Sequence, residues 1–176
     1  KASGLDAARP VSARVIGQSP TLWYSTIVID RGSGDGVRAG QPVVTGDGLV
    51  GQVTTVSGNS AVVTLITDSE IGVSARVSEN GVPGVVQAGP GGPDDLLLKY
   101  TNRGRIEKGW NVETAGTTSA SDRLESVYPP GIPIGSITSV TDPETDSQEG
   151  HIKPFADLRR LEFVQVLTAR PNGNRP

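Results

Sequence analysis

The chain has 176 residues, a formal net charge of −3, 23 glycines, 13 prolines and no cysteine. Acidic and basic residues are interspersed along its whole length, which excludes the basic surface of a nucleic-acid-binding protein and the polybasic run that attracts anionic membranes. Without cysteine the chain can form no disulfide, no thiolate metal site and no cysteine nucleophile.

The first residues, 1–11, are small and polar and read as a linker. No run approaches the roughly 20 apolar residues of a membrane-spanning helix, and no signal peptide is recognisable. Because the sequence starts at Lys1 rather than at a methionine, we expect it to be part of a longer protein. Residues 169–176 carry no apolar side chain beyond Ala169, and we expect a disordered tail there.

Short β-branched runs bounded by turn residues fill the chain between these ends, and they predict about ten strands. The predicted strands are 13–17, 26–30, 42–45, 49–56, 61–67, 72–77, 82–88, 96–101, 111–115, 134–141 and 161–167. Turn residues such as Gly46-Asp47-Gly48 and Asn80-Gly81 indicate hairpins between neighbouring strands. The pattern therefore predicts an all-β fold, and the scarcity of aromatic residues favours small barrels over a large sandwich.

One segment, residues 154–161, has a helical pattern. Proline suits the first turn of a helix, and Phe155, Leu158 and Leu161 fall on one helical face. We expect a turn or two of helix here, plugging one end of a barrel.

Several motifs, taken together and in order, give the sequence a resemblance to the MreC family of rod shape-determining proteins. The segments are TIVIDRGSGDGV at 26–37, GQPVV at 40–44, DGLVGQV at 47–53, VVTLITD at 62–68, YPPGIPIGSI at 128–137, KPFADL at 153–158 and VQVL at 164–167. Each is a generic β-turn pattern alone, but their order is difficult to obtain by chance.

The resemblance implies two small antiparallel β-barrels of about six strands each, packed together, with minimal helix. We expect residues 12–71 and about 151–168 in the first barrel and residues 72–150 in the second. The family also has a transmembrane helix and a coiled coil upstream. These would anchor the chain on the extracytoplasmic face of the bacterial cytoplasmic membrane.

The function implied by the resemblance is that of a non-catalytic scaffold for cell-wall elongation, which maintains rod shape. The expected partners are MreD, the actin-like MreB, penicillin-binding transpeptidases and the elongation glycosyltransferase. Self-association is a further contact, whereas nucleic acid is not expected and the membrane is reached only through the upstream anchor. No cofactor is implied.

Catalytic and metal sites have weak support in the sequence. A serine-protease triad would have to use His151, the single histidine, with Ser33 and one of Asp142, Asp146 or Asp157. The acidic residues of segment 142–149 do not follow the spacing of a calcium loop. We therefore predict no catalytic, cofactor-binding or metal residue, and interpret Asp30 and Asp35 as turn carboxylates that cap loop amides.

Three aromatic residues are the candidate partner contacts: Trp23, Tyr24 and Trp110. Trp110 stands where the family usually has a turn carboxylate. It either meets a partner or folds back over the barrel mouth, and the sequence leaves both open. If the three aromatics lined one groove, the chain could instead be a peptidoglycan- or glycan-binding module, which is the alternative function.

Overall fold

A computed structural model describes residues 9–19, 25–91, 95–101, 104–116 and 128–169. The described residues contain twelve strands and one short 3₁₀ turn, Ser33–Asp35. The strands are β1 Pro10–Gln18, β2 Thr26–Ile29, β3 Pro42–Val44, β4 Leu49–Val56, β5 Ala61–Leu65, β6 Gly72–Val77, β7 Pro83–Ala88, β8 Leu96–Lys99, β9 Asn111–Thr114, β10 Pro133–Thr141, β11 Glu149–Pro154 and β12 Phe163–Leu167. No helix in these ranges is long and apolar enough to cross a bilayer.

The strands close into two barrels of six strands each. The first has the order β1-β12-β3-β4-β5-β2, and the second has the order β10-β11-β8-β7-β6-β9. Neighbouring strands are antiparallel throughout both barrels. The predicted all-β fold of two six-stranded barrels is confirmed.

The interior of each barrel is filled by aliphatic side chains, as the composition predicts. Strand β5 shows the pattern: Ala61, Val63 and Leu65 are buried, whereas Val62 and Thr64 are only half-buried on the outer face. This alternation follows from the period of two in a strand. Full burial of an aliphatic side chain contributes about 1.5–3 kcal/mol, so the two barrel interiors supply most of the stability.

Strand β11 belongs to the second barrel, although the boundary expected from the sequence placed most of it in the first. Residues from about 151 onward were expected in the first barrel, but β11 pairs with β10 on one side and β8 on the other, both in the second barrel. The strand itself was not predicted, because Ile152 is its only large apolar residue. Strand β12 alone returns to the first barrel, where it lies between β1 and β3.

The predicted helical turn at residues 154–161 is wrong. Pro154 is the last residue of β11, and the amide of Phe155 donates to the carbonyl of Ile134 at 3.0 Å, so the chain leaves the strand still bound to β10. A single turn follows, in which the amide of Arg160 donates to the carbonyl of Asp157. Leu158 is buried as expected, but a turn rather than a helix places it there.

The two barrels contact each other at the β3–β4 turn. Gly48 is buried there, and a methyl group added to it would lie 2.7 Å from the carbonyl oxygen of Pro133 and 3.4 Å from Cβ of Phe155. Beside this contact, the Tyr128 hydroxyl lies 3.5 Å from Oε1 of Gln52, and burial raises the pKa of Tyr128 because a phenolate would lose its hydration. The buried apolar residues of both barrels form one cluster.

We expect Gly48→Ala to change the angle between the barrels and to lower stability by about 1–3 kcal/mol, because the added methyl meets backbone that must move. Since the chain has no cysteine, spin labels at Ser12→Cys and Lys153→Cys report the inter-barrel distance directly. Gly46→Ala is the matched control, because a methyl group there meets nothing within 4 Å. An unchanged distance distribution in Gly48→Ala would show that this contact does not set the angle.

Candidate partner-binding surfaces

Trp110 lies immediately before β9 and is held by backbone hydrogen bonds to β10. Its carbonyl accepts from the amide of Ile137 at 2.8 Å, and the amide of Gly109 donates to the carbonyl of Ile137 at 2.8 Å. The indole is half-buried and packs against the hydrophobic core. This packing favours the second of the two interpretations, in which Trp110 covers the barrel. Trp23 and Tyr24 lie outside the described residues, so no aromatic groove with Trp110 is established.

Trp110→Ala is expected to lower the free energy of unfolding by about 1.5–3 kcal/mol, less than for a fully buried tryptophan because the indole is only partly buried. For a chain of this size, thermal melting should fall by roughly 5–10 °C. Phe163→Ala is the control, since that ring is 65% exposed. If the two variants melt together at the wild-type temperature, the packing interpretation of Trp110 is wrong.

An apolar band crosses the outside of the first barrel. Ile16 and Phe163 are 59% and 65% exposed, and half-buried Val28 and Val62 lie directly opposite each other on β2 and β5. Phe163 pairs with Arg14, two positions before Ile16 on the same face of β1, so the two exposed side chains are diagonal neighbours. We call Ile16, Val28, Val62 and Phe163 the barrel-1 band; it offers a partner apolar area on a rigid wall.

Tyr100 is the most exposed large hydrophobic residue in the described parts of the second barrel. Its ring is 68% exposed, and its backbone has φ of 61°, a left-handed conformation that costs a residue with a side chain about 1–3 kcal/mol. Such strain persists only where the surrounding structure imposes it. Thr101 is the next residue and is buried. Its contacts therefore fix the backbone just after β8 and leave the Tyr100 ring in solvent.

Gln148, near the end of the acidic segment 142–149, supplies those contacts. Its side-chain amide donates to the hydroxyl of Thr101 at 3.1 Å and to the carbonyl of Gly104 at 3.0 Å. Its Oε1 accepts from the amide of Glu144 at 3.1 Å, and its carbonyl accepts from the Thr101 hydroxyl at 3.2 Å. One buried side chain therefore ties three segments of the second barrel together beside Tyr100.

A groove of about 560 Å³ lies at the same end of the second barrel. It is lined by Arg105, Ile106, Glu107, Lys108, Thr138, Ser139, Val140, Pro143 and Glu144. The Arg105 guanidinium lies 2.7 Å from a carboxylate oxygen of Glu107 and 3.8 Å from one of Glu144. Lys108 is exposed and forms no ion pair within the described ranges. Within the described residues, the groove therefore contains one cation that carboxylates neutralise, Arg105, and one without a carboxylate partner, Lys108.

The single histidine is part of a structural contact in the second barrel. His151 lies in β11, and its Nδ1 is 3.1 Å from Oδ1 of Asp95. The other oxygen of Asp95 accepts from the amide of Gly91 at 2.9 Å, so this carboxylate contacts both β11 and the backbone after β7. The acid beside His151 is thus Asp95, and not one of the three aspartates considered from the sequence.

The predicted turn carboxylates are placed as follows. Oδ2 of Asp35 accepts from the amide of Gly32 at 3.0 Å and closes the 3₁₀ turn, as expected. Oδ1 of Asp30 accepts from the amide of Arg14 at 2.7 Å, so it serves a strand amide of β1 rather than a loop. Among the residues that the structure describes, no three histidine or carboxylate side chains are grouped as metal ligands.

The family model and the similar proteins all indicate the same family. The sequence model described as "Rod shape-determining protein MreC, barrel core" matches residues 15–168. The cell shape-determining protein MreC of Listeria monocytogenes is 39% identical over 164 residues, which cover 90% of this chain and 53% of the relative. The Escherichia coli protein of the same name is 34% identical, with 85% of this chain and 40% of the relative covered. The chain thus spans about half the length, or less, of these relatives.

Solved structures share the two-barrel architecture. The crystal structure of MreC from Pseudomonas aeruginosa is 28% identical and superposes with a TM-score of 0.79, covering 89% of this chain and 97% of that one. The Listeria structure is 32% identical, with a TM-score of 0.75 and coverage of 94% and 79%. A complex of penicillin-binding protein PBP2 and MreC from Helicobacter pylori contains a chain that is 15% identical, with a TM-score of 0.66; at that identity it shows the fold alone.

Proposed function

This chain belongs to the MreC family of rod shape-determining proteins, and we propose that it is a non-catalytic scaffold of the bacterial cell-wall elongation machinery. The observation that carries the proposal is the family match across residues 15–168, which spans both barrels. The family is named for determining cell shape rather than for a reaction.

The architecture supports a scaffolding role. Closure into barrels removes the long unpaired edges through which sheets associate without specificity, and the shared core at the joint couples the two barrels. Exposed hydrophobic side chains therefore project from a rigid frame: the barrel-1 band on one barrel and Tyr100 on the other. Aromatic anchors of this kind concentrate the binding energy of protein interfaces.

The partner best supported is a penicillin-binding transpeptidase, because a structural relative was solved in complex with PBP2. MreD, MreB, the elongation glycosyltransferase and a second copy of the chain are further proposed partners. We place the barrels on the extracytoplasmic face of the cytoplasmic membrane, where peptidoglycan is extended, with an anchor upstream of the barrels. MreB then acts through the membrane-anchored part.

Binding and cell shape together test the proposal. The chain should bind the purified extracytoplasmic region of the cognate penicillin-binding transpeptidase, measured by biolayer interferometry. In rod-shaped cells depleted of the native protein, the full-length gene should restore rods, and the same gene without both barrels should not. Absence of transpeptidase binding, combined with rods restored by the gene that lacks the barrels, would refute the scaffold function.

Sedimentation with purified peptidoglycan sacculi separates the scaffold from the glycan-binding alternative. The scaffold proposal expects the chain to remain in the supernatant. Saturable co-sedimentation that a muramidase abolishes would favour the glycan-binding module. Within the described residues, Trp110 packs against its own core, so no observation favours that alternative.

A further inference from the structure

The second half of β10 has a strand neighbour on one side only. Strand β9 pairs with β10 between Pro133 and Ser136, and the backbone bonds of Gly109 and Trp110 to Ile137 close that ladder. From there on, Ser139, Val140 and Thr141 pair with β11, and Thr138 lies at a register shift between Ile137 and Ser139. None of these four residues pairs with another strand of the described chain. A short open ladder therefore remains in a barrel that is otherwise closed.

The groove lies along this open ladder. Thr138, Ser139 and Val140 of β10 line it together with residues 105–108, Pro143 and Glu144. A strand advances about 3.3 Å per residue, so four extended residues need a channel of roughly 13 Å. The groove volume of about 560 Å³ accommodates a segment of that size. Its walls include β10 and two segments that Gln148 holds, one through the carbonyl of Gly104 and one through the amide of Glu144.

The charges of the groove indicate what such a segment should carry. Arg105 is already neutralised by Glu107 and Glu144, so it has little left to offer an incoming anion. Lys108 has no carboxylate partner in the described ranges and is exposed at the groove wall. An extended segment with an aspartate or glutamate would complete this pairing, whereas a basic segment would leave Lys108 without a partner.

We propose that residues 138–141 of β10 receive an extended acidic segment of a protein partner as an added β-strand, with its carboxylate facing Lys108. Main-chain hydrogen bonds then supply affinity and the carboxylate supplies selectivity, the usual division in β-strand addition. The inference rests on the proposed scaffold function and deepens it, because it assigns one contact to a defined edge. Tyr100 lies at the same end of the barrel and can meet the partner beside the added strand.

Hydrogen exchange on the 176-residue chain, alone and with the cognate transpeptidase region, tests the edge directly. Binding should slow exchange of amides within 138–141 at least tenfold, while the barrel-1 band remains unaffected. Lys108→Glu should weaken binding by about fivefold or more through charge repulsion. Lys153→Glu is the matched control: it makes the same charge change at an exposed lysine on β11 that forms no ion pair with the described residues, and it should bind like wild type.

The outcomes separate this inference from the scaffold function. If wild-type chain binds but protection is confined to the barrel-1 band, or Lys108→Glu and Lys153→Glu bind equally, the strand-addition site is wrong and the scaffold function stands. If no binding occurs, the strand-addition site is wrong, and the rod-restoration assay decides whether the scaffold function also falls. If 138–141 become protected in the chain alone as its concentration rises, a second copy occupies the edge, and the proposed acidic partner is overturned. Matching melting temperatures of both variants confirm that they fold.

Discussion

Gly51→Ala is expected to prevent the first barrel from closing properly. Gly51 is buried in β4, between Val43 of β3 and Leu65 of β5. A Cβ atom at this position would overlap the carbonyl oxygen of Thr64 and lie 2.9 Å from Cα of Leu65. Both are backbone atoms, and a closed barrel has no free edge that can move outward to relieve the overlap.

The loss should therefore exceed the usual cost of overpacking, about 1–3 kcal/mol, and reach about 4–6 kcal/mol. Urea unfolding monitored by tryptophan fluorescence and circular dichroism measures it. Gly72→Ala is the control, because a methyl group there makes ordinary contacts at 3.5 Å or more, and it should change stability by no more than about 0.5 kcal/mol. A Gly51→Ala protein as stable as Gly72→Ala would show that the wall of the first barrel can yield.

Gln148→Leu is expected to destabilise the second barrel by about 3–5 kcal/mol. The substitution keeps the volume but removes the amide, which leaves the hydroxyl and carbonyl of Thr101 and the carbonyl of Gly104 without this donor. A buried polar group that loses its partner costs about 1–3 kcal/mol. Release of Thr101 should also let Tyr100 leave its strained conformation.

Chemical denaturation gives the size of this loss, and hydrogen exchange shows whether it begins at the Gln148 end of the second barrel. Gln165→Leu is the matched control, since Gln165 is exposed on β12, and its stability should stay within about 0.5 kcal/mol of wild type. Equal stability of the two leucine variants would mean that water replaces the amide of Gln148 at no cost.

Most of the fold could be predicted because turn residues and short apolar runs determine strands and hairpins locally. The Gly46-Asp47-Gly48 and Asn80-Gly81 turns join consecutive antiparallel strands as expected, because these residues accept the backbone conformations of tight turns. Strand β11 was missed because residues 149–154 lack the alternation of apolar and polar side chains that marks a strand. The helical pattern at 154–161 arose from three hydrophobic residues with different surroundings: Leu158 is buried, Leu161 is partly buried against the core and Phe155 is exposed.

The candidate surfaces were less predictable than the fold, because they depend on register and on distant partners. Burial of Gln148 inside an acidic segment depends on Thr101, 47 residues away. The barrel-1 band becomes visible only when β12 is paired with β1. Trp110 was selected for its size, yet its position against the core follows from the ladder that joins Gly109 to Ile137.

The pairing of β1 with β12 has a consequence for the order in which the protein forms during synthesis. The first barrel is begun by Pro10–Gln18 but cannot close until Phe163–Leu167 has emerged. The second barrel is complete in sequence once β11 has been made, at Pro154. The barrel that is started first is therefore finished last, and its strands stay unpaired at that edge while residues 66–162, about a hundred, are synthesised. Ribosome-stalled chains ending after β11 would hold a finished second barrel beside an unsealed first one.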